Sequence, residues 1–189
     1  MNSLPPGEEP AEGSGRRRIA VDACVLINLL RLGRLDILDE STSLFPVVTK
    51  SVLNEITDED QRRALDSSCT AGRIDSLDPV DPAAVSVFID AIERGLGRGE
   101  ASCIALSAAA GILLGCDERA GCFMRVVEAS GLSGRIVTTR DLMIMAIREG
   151  RLRFDEANGL LDALRTRFKY NVPGIQQSEI HGNRPAGSN

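Results

Sequence analysis

Short apolar runs alternate with amphipathic stretches along the chain. Ile19-Ala20-Val21 is apolar on successive residues, the pattern of a strand buried on both faces, and Val25 to Leu30 opens a helix. Leu44 to Val48 is a second strand, which Pro46 weakens or places at an edge. A helix is predicted over 49–56, with Thr49 or Ser51 near its start, and a polar one over 58–68. Ile74 to Leu77 is a short strand. Asp81-Pro82 starts a helix that runs to about Arg94. The run Gly95-Leu96-Gly97-Arg98-Gly99 breaks it, and Glu100 opens an alanine-rich helix. Gly111 to Cys116 is another buried strand, followed by helix 118–129 and a last strand at 135–138. Helices follow from Thr139 or Asp141 to near Gly150 and from Asp155 to Phe168. Alternation of this kind predicts an α/β sandwich of three layers, α/β/α, around a mainly parallel sheet.

Composition sets the bounds. With 189 residues and 43% hydrophobic content, one domain with tails is expected: a disordered tail at 1–17, a domain at 18–170 and a flexible tail at 171–189. Aromatics are only 3% of residues and Trp is absent, so the core is aliphatic and base-stacking platforms are not expected. No apolar run has transmembrane length and no signal-peptide pattern opens the chain. Five cysteines form no CxxC pair, and Cys24, Cys103 and Cys116 lie in apolar segments as small hydrophobes. A single His, at 181, argues against zinc. These features suit a reduced, cytoplasmic protein.

Charge is uneven. Between residues 55 and 117 twelve acids face five bases, whereas between 135 and 169 eight bases face five acids. An acidic centre beside a basic C-terminal part suits a metal site flanked by phosphate contacts, and solvated surface is the simpler account of most single charges. Arg98, Arg119, Arg140 and Arg151, and the cluster at 16–18, are candidates for gripping phosphate on that reading.

The candidate chemistry rests on four acids. Asp22 and Asp117 each end an apolar strand and precede a helix. Strand ends of a parallel sheet share one edge, where ligands bind. Glu100 opens a helix after a glycine break, with Gly99 leaving room beside it, and Glu55 borders an apolar helix face. On its own residue, Asp22 is either a helix cap or a functional acid. Two carboxylates about 4 Å apart repel by roughly 4 kcal/mol at an effective dielectric of 20. Converging acids therefore require protons or a divalent cation, and oxygen-only ligands favour Mg²⁺ or Mn²⁺ over Zn²⁺.

The order IAVDACVLINLL, VTKSVLNEI, GRGEASCIALS, ILLGCDERA over residues 18 to 152 resembles the PIN-domain family, in its subgroup with a GE-A helix. The resemblance extends to the FKYNVP segment. It implies a metal-dependent ribonuclease, similar to the VapC-type toxins, with a catalytic set of Asp22, Glu55, Glu100 and Asp117. Asp22, Glu100 and Asp117 would hold Mg²⁺ or Mn²⁺, and Glu55 would be the helix-borne second acid. It also implies an RNA substrate, an antitoxin protein as partner and a homodimer. Two departures stand out: Glu100 replaces the Asp of many active toxins, and Thr138-Thr139-Arg140-Asp141 replaces a T-x-N-x-x-D run. Asp141 reads as a helix cap, with an outer acid of the site as the alternative.

Two other readings compete. A non-catalytic PIN-like module would keep the acids without productive geometry. A phosphoacceptor receiver needs a Lys after the last strand, where this chain has Thr138, Thr139 and Arg140.

Overall fold

Ile19, Ala20 and Val21 are wholly shielded from solvent, as a strand covered on both faces must be. They belong to the middle strand of the computed structural model, which describes residues 15–181. Most of the tail expected at 1–17, and residues 182–189, lie outside the described residues. In chain order the elements are β1 (Arg17–Val21), α1 (Ala23–Arg31), α2 (Asp36–Asp39), β2 (Leu44–Val48), α3 (Lys50–Glu55), α4 (Glu59–Thr70), β3 (Asp75–Ser76), α5 (Pro82–Glu93), α6 (Arg98–Ala110), β4 (Leu113–Gly115), α7 (Gly121–Ala129), β5 (Ile136–Val137), α8 (Thr139–Arg148), α9 (Phe154–Arg167) and α10 (Gln177–His181).

The five strands are all parallel, in the order β3-β2-β1-β4-β5. Helix α6 packs on β1 and β4 with α3 and α5 beside it; α8 gathers α1, α2, α9 and α10. The result is the expected α/β/α sandwich. Its core is aliphatic: Leu26, Leu29, Leu38, Leu44, Leu65, Ile104 and Leu114 are fully buried. Each such side chain contributes about 1.5–3 kcal/mol by leaving water.

Several local expectations are met by the caps. Asp81 accepts the Ala83 N–H at 2.8 Å ahead of Pro82, and Thr138 and Asp141 form a capping box at the start of α8. Others are corrected. Pro46 is not on an edge strand, since β2 lies between β3 and β1. It pairs with Ile19, and β3 begins to pair only at Val47, so no ladder partner is required on that side. Helix α7 starts at Gly121 rather than Glu118, because the Glu118 carboxylate accepts the backbone N–H of Arg119 and of Ala120 and closes a turn instead. The ordered body also continues past residue 170, where a loose tail was expected. Val172 and Ile175 are buried, and Arg165, Arg140 and Asn158 bind the backbone carbonyls of Val172, Gly174 and Ile175.

One acid far from the strand ends fastens α8 to β2. Glu149 accepts hydrogen bonds from Ser41, Ser43 and the Thr42 N–H and pairs with Arg151, whose guanidinium also binds the carbonyls of Asp36 and Ile37. Burial opposes the Glu149 charge, but the hydrogen bonds from Ser43, Arg151, Ser41 and Thr42 outweigh it and lower the carboxyl from 4.5 to about 2. A depressed carboxyl contributes stability above its unfolded value and loses it as pH falls. The melting temperature is therefore expected to fall between pH 4.5 and about 2. Glu149→Gln should lower it at neutral pH and flatten that acid limb; an unchanged limb would show that the fastening contributes nothing.

Candidate metal centre

The β1–α1 junction places Asp22. Its backbone N–H extends the sheet by donating to the Gly115 carbonyl at 2.8 Å, and its own carbonyl accepts the Leu26 N–H of α1. The side chain is 4% exposed, and its two oxygens have different surroundings. Oδ2 caps α1, accepting the Cys24 N–H at 3.3 Å, and lies 3.8 Å from the Cys116 thiol. Oδ1 is buried with no hydrogen-bond partner, the one such side-chain atom among the described residues. The cap read from the sequence is thus made by Oδ2, and Oδ1 is left without a partner. A buried, unpartnered carboxylate oxygen costs about 1–3 kcal/mol or more, which a bound cation would remove.

Glu55 is the last residue of α3 and reaches across to α6. Its Oε1 accepts the Gly99 N–H at 2.9 Å. Thr49 and Ser102 share a buried hydrogen bond of 2.7 Å between these helices, and Ser102 donates to the Gly99 carbonyl at 2.8 Å. That chain fixes the Gly99 backbone against α3. Glu100 sits in the first turn of α6, where its Oε2 accepts the Gly97 N–H at 3.0 Å.

These three acids form one electrostatic unit. Burial first, and then the Asp22 charge, raise the Glu55 carboxyl; the Gly99 N–H opposes the rise. Burial also raises Glu100 against the Gly97 N–H, helped by the charges of Asp22, Glu118 and Glu55. Glu118, read from the sequence only as a helix start, therefore joins the cluster.

Asp117 is differently placed. Its Oδ1 accepts the Thr139 N–H at 2.8 Å, and its Oδ2 accepts the Thr139 hydroxyl at 2.5 Å and the Asn28 amide at 3.0 Å. A carboxylate has about four acceptor positions, and these three donors engage most of them. Burial and the Asp117 charge push the nearby Tyr170 phenol far up, so it stays protonated. The charges of Asp22, Glu55 and Glu100 thus act on one another, but among the described residues the set of three potential ligand atoms within 4.8 Å is Asp22, Cys24 and Cys116; Asp117 sits in a clamp that joins β4 to α1 and α8. Thr139, a helix start in the sequence, is in the fold also the main partner of Asp117. Lys169, at φ 58°, turns the chain ahead of Tyr170.

The candidate phosphate contacts divide. Arg140 is engaged by Glu179 and the carbonyls of Pro173 and Gly174, and Arg151 by Glu149 and the α2 carbonyls. The cluster at 16–18 lies at the amino end of β1, away from the acids, where Arg16 and Arg18 stack on Phe45. Arg98 remains at the acids. With Lys50, Asn54 and Phe88 it lines a cleft of about 600 Å³ that Glu55 borders. Arg119 is exposed and binds the Glu118 carbonyl.

The parallel α/β/α sandwich is a fold of nuclease type. The chain belongs to the PIN-domain family: a family model described as PIN domain matches residues 18–177. The crystal structure of PAE2754 from Pyrobaculum aerophilum is similar at 20% identity, over 75% of this chain and 99% of that chain, with a TM-score of 0.46. No curated protein matches the chain. Among the described residues, no helix is long and apolar enough to cross a membrane.

Proposed function

We propose that this PIN domain is a divalent-metal-dependent endoribonuclease. The observation that carries the reading is the unpartnered, buried Oδ1 of Asp22, whose charge acts on two further carboxylates. Asp22, Glu55 and Glu100 would hold Mg²⁺ or Mn²⁺, hard cations that suit an all-oxygen set. When bound, the cation supplies Lewis acidity toward a phosphoryl oxygen and acidifies a water. The chain's own residues do the rest. Asp117, clamped by Asn28 and Thr139, holds the ends of β4 and α8 in place and acts on the centre from outside the ligand set, where the family likeness alone would make it a ligand. Arg98 and Lys50 provide positive charge in the cleft beside Glu55, along the path a phosphate backbone would take. A toxin role, with a small antitoxin protein over the cleft, and a homodimer belong to the proposal on the family likeness alone.

Titration with Mn²⁺ in the presence of single-stranded RNA tests the reading. Cleavage is expected to appear with metal and to stop on chelation. A protein that binds Mn²⁺ and leaves RNA intact would be the inert PIN-like module instead.

A further inference from the structure

Two thiols lie against the Asp22 carboxylate on the side of Oδ2. Cys24 stands in the first turn of the nine-residue helix α1. Cys116 follows Gly115, the β4 residue that pairs with Val21, so the parallel register sets it beside Asp22. The two sulfurs are 3.8 Å apart, and the Cys116 sulfur is 3.8 Å from Asp22 Oδ2. All three ligand atoms lie within 4.8 Å of one another.

Those spacings match a known coordination shape. Two zinc–sulfur bonds of about 2.3 Å at the tetrahedral angle hold their sulfurs about 3.8 Å apart, and a carboxylate oxygen at about 2.0 Å lies about 3.5 Å from each sulfur. We propose that Asp22, Cys24 and Cys116 form a binding site for a thiophilic dication, Zn²⁺ in the simplest case, with the fourth position open.

Three observations beyond the spacing support it. Asp22 is 4% exposed and carries the unpartnered Oδ1, so the site already holds a carboxylate short of donors. The Asp117 N–H donates to the Cys24 sulfur at 3.3 Å, which fixes that sulfur beside Cys116 and Asp22. Cys24 is partly exposed, which provides entry, while Cys116 is fully buried. Thiolate ligands select Zn²⁺ over Mg²⁺. Binding exchanges two thiol protons, released to solvent, for two metal–sulfur bonds. The paucity of histidine in the composition does not bear on this set, which needs none. Because Asp22 belongs to both centres, Zn²⁺ at the thiols and a hard cation among the carboxylates compete for one side chain. The inference stands apart from the nuclease reading, since it is tested by binding alone.

The test is anaerobic titration of the full, reduced chain with Co²⁺ and then Zn²⁺, followed by absorption. One equivalent of Co²⁺ is expected to give thiolate-to-cobalt charge transfer in the near ultraviolet and the intense visible bands of tetrahedral cobalt. One equivalent of Zn²⁺ should remove both, and excess Mg²⁺ should not produce a comparable displacement. Cys24→Ala/Cys116→Ala should abolish the signal, and Cys122→Ser should retain it. Absence of charge transfer in the natural chain overturns the proposal without recourse to any variant. So does its persistence in the folded double variant, or its loss in Cys122→Ser.

Discussion

Asp22→Asn is expected to abolish metal-dependent RNA cleavage and to leave the metal-free fold as stable as before, or more so. Asparagine keeps an oxygen for the Cys24 N–H, so the cap on α1 survives. What it removes is a negative charge that is 4% exposed and that raises the carboxyls of both Glu55 and Glu100. Without that charge, both glutamates should ionise at lower pH, and the repulsion within the metal-free cluster should fall. A cation is worth several kcal/mol of charge stabilisation in such a reaction, so cleavage should drop by about 10²–10⁴-fold. The melting temperature without metal and the Mn²⁺ affinity by calorimetry separate the two effects. Full cleavage by the variant with Mn²⁺ present would remove Asp22 from the centre. A large fall in metal-free melting temperature would mean that its part is structural.

Legibility in the sequence follows the range of the interaction. Burial on both faces of β1 and β4, the acids that end these strands, and the starts of α5 and α8 are local properties, so the parallel sandwich and two of the four acids could be placed from residue pattern. Partners that meet only through sheet register were hidden. Asn28 and Asp117 are 89 residues apart, and Glu55 and Gly99 are 44 apart. Composition likewise made Cys24 and Cys116 small hydrophobes, because only the register of β1 against β4 reveals that they share a carboxylate. The segment after α9 was read as loose because it is short of apolar residues; it is held chiefly by arginine and asparagine side chains on backbone carbonyls, a bond type with no periodic signature. One signal was available. The glycine at 99, directly ahead of Glu100, was read as room for a neighbour, and the neighbour is the carboxylate of Glu55.

That packing makes Gly99→Ala the sharpest separation of site from fold. A Cβ at residue 99 would overlap Glu55 Oε1 and come within 2.9 Å of its Cδ and 3.0 Å of its Oε2. All are the far end of a flexible, exposed side chain, so Glu55 can swing away at little cost. The backbone of α6 gains from the change, since alanine is better than glycine in a helix by about 1 kcal/mol. Against this stands one hydrogen bond, Gly99 N–H to Glu55, worth about 1 kcal/mol. The two nearly cancel, and the melting temperature should hardly move. The acid cluster, however, loses its α3 member. Displacing a group that orients a metal centre typically costs 10–100-fold in affinity or activity, and that loss is expected in both Mn²⁺ binding and cleavage. Gly97→Ala is the matched comparison: its Cβ would meet only Glu100 Oε2, at an ordinary 3.6 Å, and it should stay within a few-fold of the natural chain. Equal behaviour of the two variants would place Glu55 outside the centre, because only the Cβ at residue 99 would displace its carboxylate.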